Sequence, residues 1–304
     1  MGKQLVKIVK EICLENQINL RTYSDEYILE LVKENKKMYI YGNKFPNNNA
    51  SIEQICNDKS GLSDLLEEYD IPHVHHQYFY TLDRESATFS DDTWQRMESV
   101  LEKLGDVVVK NNKGTGGKNV YKVSDKATLR EKAQKIYDET KSVCLSPYIN
   151  IKEEYRVLIV HGKIEYVFRK IRPFVIGDGL NSVDRLAQLK YQDSNINVSE
   201  ELDCNYVPSK NEKIELSWKH NLGQGAIPEL ITDKGLLEKL REIAEKCARC
   251  LDLQFVSIDI IDDGALKVLE INSGVMIEKF SDYNEEYYNL AKGAVKKAID
   301  IYLQ

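Results

Sequence analysis

Three oxygen-bearing side chains, Asp259, Glu270 and Asn272, stand inside two short apolar runs, FVSIDII (255–261) and LKVLEIN (266–272), that read as strands. Bare carboxylates among Ile, Val and Leu are costly to desolvate unless a cation or hydrogen-bond donors compensate. With Asp263-Gly264 as a two-residue turn between the runs, Asp259 falls opposite Val268 and Glu270 lies one diagonal step along the same face. Asn272 shares that face because strand side chains alternate. Hard oxygen donors gathered this way suit Mg²⁺, which combines one or two carboxylates with substrate phosphates. A solvated sheet face laced by salt bridges has the same spacing, and both readings stand at this point.

A second set lies upstream in VVVKNNKGTGGKNVYKV (107–123), where Lys110, Lys113 and Lys118 flank Gly114, Gly116 and Gly117. Glycines let backbone amides approach a phosphate, and lysines add charge. Asn119 stands where a Walker loop needs Ser or Thr, and also where GxGxxG needs its last glycine. The segment joins strand to strand, so no helix N-terminus assists it. A plain glycine turn is the competing reading. A third set is EEYRVLIVHGKIEYVFRKIRPF (153–174). If His161-Gly162 is the turn, Tyr155, Val157 and Ile159 share a core face with Ile164, Tyr166 and Phe168. Glu154, Arg156 and Arg169 then group on the opposite face, with Glu154 across from Arg169, and Arg172 follows. Guanidinium groups grip phosphate or carboxylate bidentately; a structural ion pair fits equally well.

A mixed scaffold must position these sets. Strand-like runs recur at 107–110, 119–123, 155–160, 164–170, 213–218, 255–261 and 266–272, and several neighbours are joined by tight turns. Helical patterns occupy 60–70, 126–139, 183–190 and 233–252. Antiparallel hairpins with separate helices indicate the α+β class and argue against a purely parallel Rossmann sheet. Residues 1–37 read as helical with a polar break near Asn16–Asn19, 38–42 as a strand, and the Asn-rich stretch after it as a loop.

The 304 residues, 42% hydrophobic and 30% charged, allow two or three core-forming units. A net charge of -7 argues against nucleic acid as the main partner. No apolar run reaches the roughly 18 residues of a membrane span, and the amphipathic start MGKQLVKIVKEICLENQ lacks a signal peptide's apolar core. Six cysteines without a secretion signal fit a reducing cytoplasm. Cys247 and Cys250 form a CxxC inside a helical pattern, with no second CxxC or His pair close in sequence to complete a zinc site. His73, His75 and His76 cluster near a strand start and read as surface or core residues.

Taken in order, the three sets resemble the ATP-grasp superfamily, and in particular the ATP-grasp domains of cyanophycin synthetases and bifunctional glutathione synthetases. The likeness begins at ICNDKSGLSDLLEEYDIP (55–72), similar to the family's Asp-Lys helix leading to an Ile-Pro. It runs on through the glycine hairpin, EEYRVLIVHGKI, RPFVIGDGLNSVDRL and HNLGQGA to the carboxylate hairpin, covering roughly 55–295. It implies an ATP-grasp fold: two α+β subdomains with mainly antiparallel sheets clasping a nucleotide. The division would be a reduced N-terminal region (1–55), a small subdomain with the glycine flap (56–145) and a large subdomain with the metal site (146–304).

The resemblance also assigns roles. Lys59 and Lys110 match the lysines that contact nucleotide phosphates. Lys113 and Gly114, Thr115, Gly116 and Gly117 match the flap over the β- and γ-phosphates. Pro147, Tyr148 and Ile149 occupy the hinge that reads the adenine edge, although the family often has Glu where Pro147 stands. Glu154 matches the ribose-binding acid, Leu269 lines the nucleotide site, and Asn221 fits a loop beside the triphosphate. Asp259, Glu270 and Asn272 match the Mg²⁺ ligands, with Mn²⁺ as a substitute. Arg169 or Arg172 resembles the arginine facing an acyl phosphate, and Lys110 joins the catalytic group. Beyond Asn272 the family's Pro-Gly pair is replaced by SGVMIEKFSDYNEEYY, where Lys279 and the tyrosines would define a different acceptor pocket. The implied activity is an ATP-dependent carboxylate–amine ligase acting on amino acids or short peptides, with no membrane partner and a second copy of the chain as a candidate partner. An ATP-binding regulatory protein without turnover and a phosphotransferase are the alternatives.

Overall fold

The computed structural model describes residues 2–79, 89–191, 196, 198–199 and 202–304. The chain opens with α1 (Lys3–Glu15), followed by β1 (Asn19–Tyr23), β2 (Ile28–Lys33) and β3 (Lys36–Tyr41) in a three-stranded antiparallel sheet. The helical reading of 19–37 is therefore corrected. Its Lys and Glu content favours helix, yet Leu29 and Leu31 pair across from Ile40 and Met38 with period 2. Ser24, Asp25, Glu26 and Glu34 adopt positive φ to turn the chain between strands.

Next come α2 (Ala50–Asn57), α3 (Lys59–Glu68), β4 (Gln77–Phe79), α4 (Asp91–Leu104), β5 (Val107–Lys110), β6 (Val120–Val123), α5 (Lys126–Thr140) and β7 (Val143–Pro147). Strands β4, β7, β5 and β6 form a four-stranded antiparallel sheet in that order. Its apolar face packs on α4 and α5 through Trp94, Met97, Leu129, Ala133 and Ile136. The remaining elements are β8 (Glu153–Val160), β9 (Lys163–Ile171), β10 (Phe174–Ile176), α6 (Val183–Lys190), β11 (Lys213–Glu215), β12 (Ile227–Leu230), α7 (Lys234–Leu251), β13 (Phe255–Asp262), β14 (Leu266–Asn272), α8 (Glu278–Ser281) and α9 (Glu285–Leu303).

The central sheet runs β12-β9-β8-β13-β14, antiparallel throughout. Both of its faces are covered, which is why β13 is almost continuously buried. One face meets the stripe Leu240, Ala244, Cys247, Ala248 and Leu251 of α7, spaced to fall on one side of a helix. The other meets α9, α1 and the N-terminal sheet, so the first 41 residues belong to a core shared with the central sheet. The tyrosine-rich segment is part of α9, with Tyr287 buried against Phe280 rather than lining a pocket.

Two β-bulges decide which side chains reach the cleft. In the β13–β14 hairpin the loop is one residue longer than a two-residue turn, with Asp262 opposite Leu266. Leu269 is then the extra residue of a bulge, so Asp259 pairs directly with Glu270 instead of Val268. In the β8–β9 hairpin, Glu165 is the extra residue. A one-residue shift exchanges the faces of everything beyond it. Arg169 therefore pairs with Tyr155 on the far face, Tyr166 and Phe168 turn to the α9 side, and Lys170 takes the place expected for Arg169.

Candidate active site

Between the central sheet and the β5–β6 hairpin lies a cavity of about 480 Å³. Its floor is the polar end of β8, β9 and β13. Asp259 is buried there and accepts a bidentate grip from Arg156, Nε to Oδ1 at 2.8 Å and Nη2 to Oδ2 at 2.7 Å. Lys170 Nζ sits 2.8 Å from Asp259 Oδ2 and donates to Glu154 Oε1 at 2.6 Å. Burial alone pushes the Asp259 carboxyl up, but the Arg156 and Lys170 cations outweigh it and hold Asp259 well below the usual carboxylate range. Glu154 goes the other way: burial and the nearby Asp259 charge raise it more than Lys170 lowers it. His220 Nδ1 lies 3.5 Å from Glu154 Oε2 without a hydrogen bond. Burial, then the charges of Arg172 and Lys170, push His220 down to about 3, so this contact is a neutral ring beside a carboxyl group and not an ion pair.

Three carboxyl groups (Glu154, Asp259, Glu270) face two cations (Arg156, Lys170) on this floor. Glu270 is half-buried, and Asn272 Nδ2 donates to its Oε1 at 3.1 Å. It is the carboxylate that neither cation on the floor binds. Among the described residues Asp259 Oδ1 accepts one hydrogen bond, which leaves it acceptor capacity, and Glu270 is its cross-strand partner. Two carboxylates and an amide on one sheet face fit a hard divalent cation in their chemistry. Asp259 differs from a free ligand in being gripped by two cations already.

The roof is the β5–β6 hairpin. Lys110 is buried and its ammonium has no hydrogen bond or ion pair among the described residues. Burial and the neighbouring Lys59 charge pull its pKa down. Lys59 Nζ donates to the Gly114 carbonyl, which ties the start of α3 to the glycine loop. Asn112, fully buried, fixes that junction: its Oδ1 accepts from Ser60 N at 3.0 Å and its Nδ2 donates to Asp58 Oδ1 at 2.9 Å. Asp58 is in turn the N-cap of α3. Gly116 and Gly117 adopt left-handed backbone (φ +70 and +71), and a Cβ on Gly117 would meet Asn221 Nδ2 at 2.7 Å. Asn221 Nδ2 donates to the Gly116 carbonyl at 2.8 Å, tying the glycine loop to the turn that precedes β12.

At one end, Val108, Val120, Ile149, Ile261, Leu269 and Trp218 give the cavity apolar walls. Pro147 and Tyr148 form the edge there; Tyr148 N donates to the Asp106 carbonyl, its ring meets Trp218 edge-on at 5.7 Å, and Lys122 Nζ lies 4.4 Å above it. At the other end Met276, Glu278 and Lys279 reach the cavity. Glu278 also accepts from the free amides of Gln4 and Leu5 at the start of α1, so the N-terminal helix is anchored to the cleft wall.

Most residues expected from the sequence converge here: Lys59, Lys110, Gly114, Thr115, Gly116, Gly117, Pro147, Tyr148, Ile149, Glu154, Asn221, Asp259, Leu269, Glu270 and Asn272 all line the cavity. Three do not. Lys113 points outward and Lys118 lines the wall in its stead. Arg169 pairs with Glu153 and Glu229 on the far face because of the Glu165 bulge. Arg172 is held at the rim by Glu215 at 2.9 Å and by the Ile151 carbonyl. Arg156 and Lys170 supply the cations of the floor. The alternation of EEYR pointed to Arg156, whereas Lys170 was hidden by the bulge.

Known proteins resemble the chain in the same terms. Residues 208–296 match the model of a RimK-like ATP-grasp domain. A cyanophycin synthetase of Synechocystis sp. is 26% identical over 258 residues, 75% of this chain and 27% of that protein. The fold is similar to a bifunctional glutathione synthetase from Pasteurella multocida (TM-score 0.60, 14% identity, 97% of this chain and 44% of the other). It is also similar to D-alanyl-alanine synthetase A from Vibrio cholerae (TM-score 0.59, 12% identity, 99% and 93%). A D-alanine–D-alanine ligase from Bacillus anthracis covers 84% of the chain at TM-score 0.54, 18% identity and 71% of its own length. The chain thus spans about a quarter of the cyanophycin synthetase and under half of the glutathione synthetase. Among the described residues no helix is long and apolar enough to cross a membrane. The chain has an ATP-grasp fold and resembles the ATP-grasp domains of cyanophycin synthetases and bifunctional glutathione synthetases.

Proposed function

We propose that the chain is an ATP-dependent carboxylate–amine ligase that forms an amide or peptide bond through an acyl phosphate, releasing ADP and phosphate. One observation carries this reading: Lys59 and Lys110, a glycine loop and an oxygen-rich sheet face converge on one cavity with apolar walls at one end. The reaction needs such a site because a carboxylate oxygen is a poor leaving group until it is phosphorylated. Adenine fits between Val108, Ile149, Trp218 and Leu269, with the Pro147–Ile149 segment along its edge and Glu154 toward the ribose. Lys59, Lys110, Asn221 and the Gly114–Gly117 loop hold the phosphates and exclude water, which would otherwise hydrolyse the acyl phosphate. Asp259, Glu270 and Asn272 would hold Mg²⁺, or Mn²⁺ in its place; when bound it supplies neutralisation of phosphate charge.

The substrate carboxylate attacks the γ-phosphorus, ADP departs, and the amine then attacks the acyl carbon and expels phosphate. Arg156, fixed by Asp259, faces this cleft and takes the oxyanion-stabilising role expected of Arg169 or Arg172. Glu278 and Lys279 at the far end offer charges complementary to an amine and a carboxylate, so amino acids or short peptides are the proposed substrates. In this reading residues 56–145 bear the flap and 146–304 the charged floor, with 1–55 as the buttress behind it. Incubation with amino-acid and dipeptide pairs should release ADP and phosphate only when acid and amine are both present, with the product identified by mass. Release that ignores the amine would overturn the reading.

A second reading, a nucleotide-binding protein without turnover, draws on the double grip of Arg156 and Lys170 on Asp259. Tight ATP binding with no ADP formed across the same panel would select it.

A further inference from the structure

Away from the cleft, α3 and the segment after it bring Glu67, His73 and His75 together, with one ligand atom from each within 4.8 Å of the others. The three line a separate surface cavity with Asp70, Ile71 and Pro72. His73 and His75 are two residues apart in extended chain, so both rings leave the same face. His73 Nδ1 lies 2.9 Å from the Ile71 carbonyl, an acceptor, so the neutral ring carries its proton on Nδ1 and presents a lone pair at Nε2. That Nε2 is buried and has no hydrogen-bond partner among the described residues. A histidine whose outer nitrogen is fixed by a carbonyl while its inner one stands free is oriented as metal-ligating histidines are.

The arrangement needs an explanation beyond an ion pair. His75 Nδ1 and Glu67 Oε2 stand 3.8 Å apart with both side chains more than half exposed (56% and 70%), a contact worth under about 1 kcal/mol. It does nothing for His73, whose orphaned nitrogen carries a desolvation cost. We propose that Glu67, His73 and His75 bind a divalent transition-metal ion, with Zn²⁺ the best match. Two imidazoles and one carboxylate are a zinc donor set, and nitrogen ligands disfavour Mg²⁺ and Ca²⁺. Zinc bonds of about 2.0–2.1 Å in tetrahedral geometry put ligand atoms about 3.3 Å apart. Rotation of the exposed Glu67 and His75 side chains closes that difference onto the fixed His73. Water takes the fourth position.

The site has a structural consequence. Val74 N donates to the Val268 carbonyl at 2.9 Å and Val268 N to the Pro72 carbonyl at 2.8 Å, sewing the histidine segment to β14 two residues before Glu270. Glu67 lies in the last turn of α3, whose first residue is Lys59. The ion therefore ties the far end of the lysine helix to the strand that bears Glu270.

Calorimetric titration of the full chain with ZnCl₂ in excess Mg²⁺, which fills oxygen sites without competing for imidazole, tests this. One zinc equivalent is expected. His75→Ala and Glu67→Gln, both at exposed positions, should each weaken it at least about 10-fold, the scale seen when even an outer partner of a ligand is lost. Zinc should also raise the melting temperature of the wild type and not that of His75→Ala. No equivalent bound, or an equivalent of unchanged affinity in both variants, overturns the proposal.

Discussion

The floor and the roof of the cleft are built on opposite principles. The floor buries most of its charges against one another, with Arg156 bound to Asp259 and Lys170 shared between Asp259 and Glu154. The roof exposes glycines in left-handed backbone and leaves Lys110 buried with no partner among the described residues. A closed network fixes geometry; an unmatched cation and a pliable loop are suited to receiving an anion. The difference teaches where binding energy is stored: the Arg156–Asp259–Lys170–Glu154 network is closed without a ligand, whereas Lys110 on the roof, like Glu270 beside that network, is left to meet one.

Breaking the floor should have the largest effect. Asp259→Asn removes the anion that Arg156 and Lys170 share, leaving Lys170 paired to Glu154 and the largely buried Arg156 stripped of its bidentate partner. Removing one member of a buried pair costs about 3–5 kcal/mol of stability. Activity should fall by at least about 10²–10³-fold, the scale for losing one preorganised charge-stabilising group. Melting curves beside an ADP-release assay read both, and full activity in Asp259→Asn would sink the proposed site.

The roof should respond with the reverse sign in stability. Lys110→Met keeps the aliphatic stem and deletes a buried charge that has no partner among the described residues. The nucleotide-free variant is expected to melt higher than the wild type, because the depressed pKa of Lys110 means its charge opposes folding throughout the neutral range. ATP binding should weaken about 10- to 100-fold, as expected for a hydrogen bond to a charged group worth about 1.5–3 kcal/mol. A lower melting point would mean that Lys110 has a compensating partner in the free protein, and the contrast between floor and roof would fail.

Gly117→Ala probes the loop alone. Its φ of +71 strains any other residue by about 1–2 kcal/mol, and the added Cβ would press on Asn221 Nδ2. Asn221 would lose its hold on the Gly116 carbonyl, so KM for ATP should rise about 10-fold, on the energy scale of that strain. The melting point should fall only slightly, because the loop is largely exposed, buries little and can relax locally without unfolding the sheet. Equal losses in stability and KM would show that the loop is structural.

Much of this contrast was legible in the sequence. Alternation alone put Asp259, Glu270 and Asn272 on one face, and the glycines and lysines of 110–118 marked the roof. What the sequence hid were offsets of one residue. Nothing in VLEIN or KIEYV announces that Leu269 and Glu165 bulge, because a bulge is set by how the strands twist and pack in the sheet, not by residue type. Each offset moved a charge: one brought Glu270 directly opposite Asp259, and the other exchanged Arg169 for Lys170. The N-terminal sheet was obscured differently, since Lys and Glu between its apolar residues imitate an amphipathic helix while Leu29, Leu31, Met38 and Ile40 keep strand period. Asn112 was unreadable because its partners, Asp58 and Ser60, come from a separate element.

The smallest expected effect tests the bulge itself. Arg156 and Arg169 are both arginines on adjacent strands of one sheet, both bonded to carboxylates, and a straight hairpin would put them on the same face. With Glu165 bulged, Arg169 bonds Glu153 and Glu229 at a partly exposed position, where such pairs contribute under about 1 kcal/mol each. Arg169→Ala should therefore leave kcat and KM within about two-fold of the wild type, as befits a side chain outside the cleft, and lower the melting point only slightly. Arg156→Ala, which strips the bidentate grip from Asp259, should in the same assay behave like Asp259→Asn. If Arg169→Ala instead abolished turnover with its stability intact, β9 would have to present Arg169 to the cleft during the reaction, and the separation of the two faces would not survive.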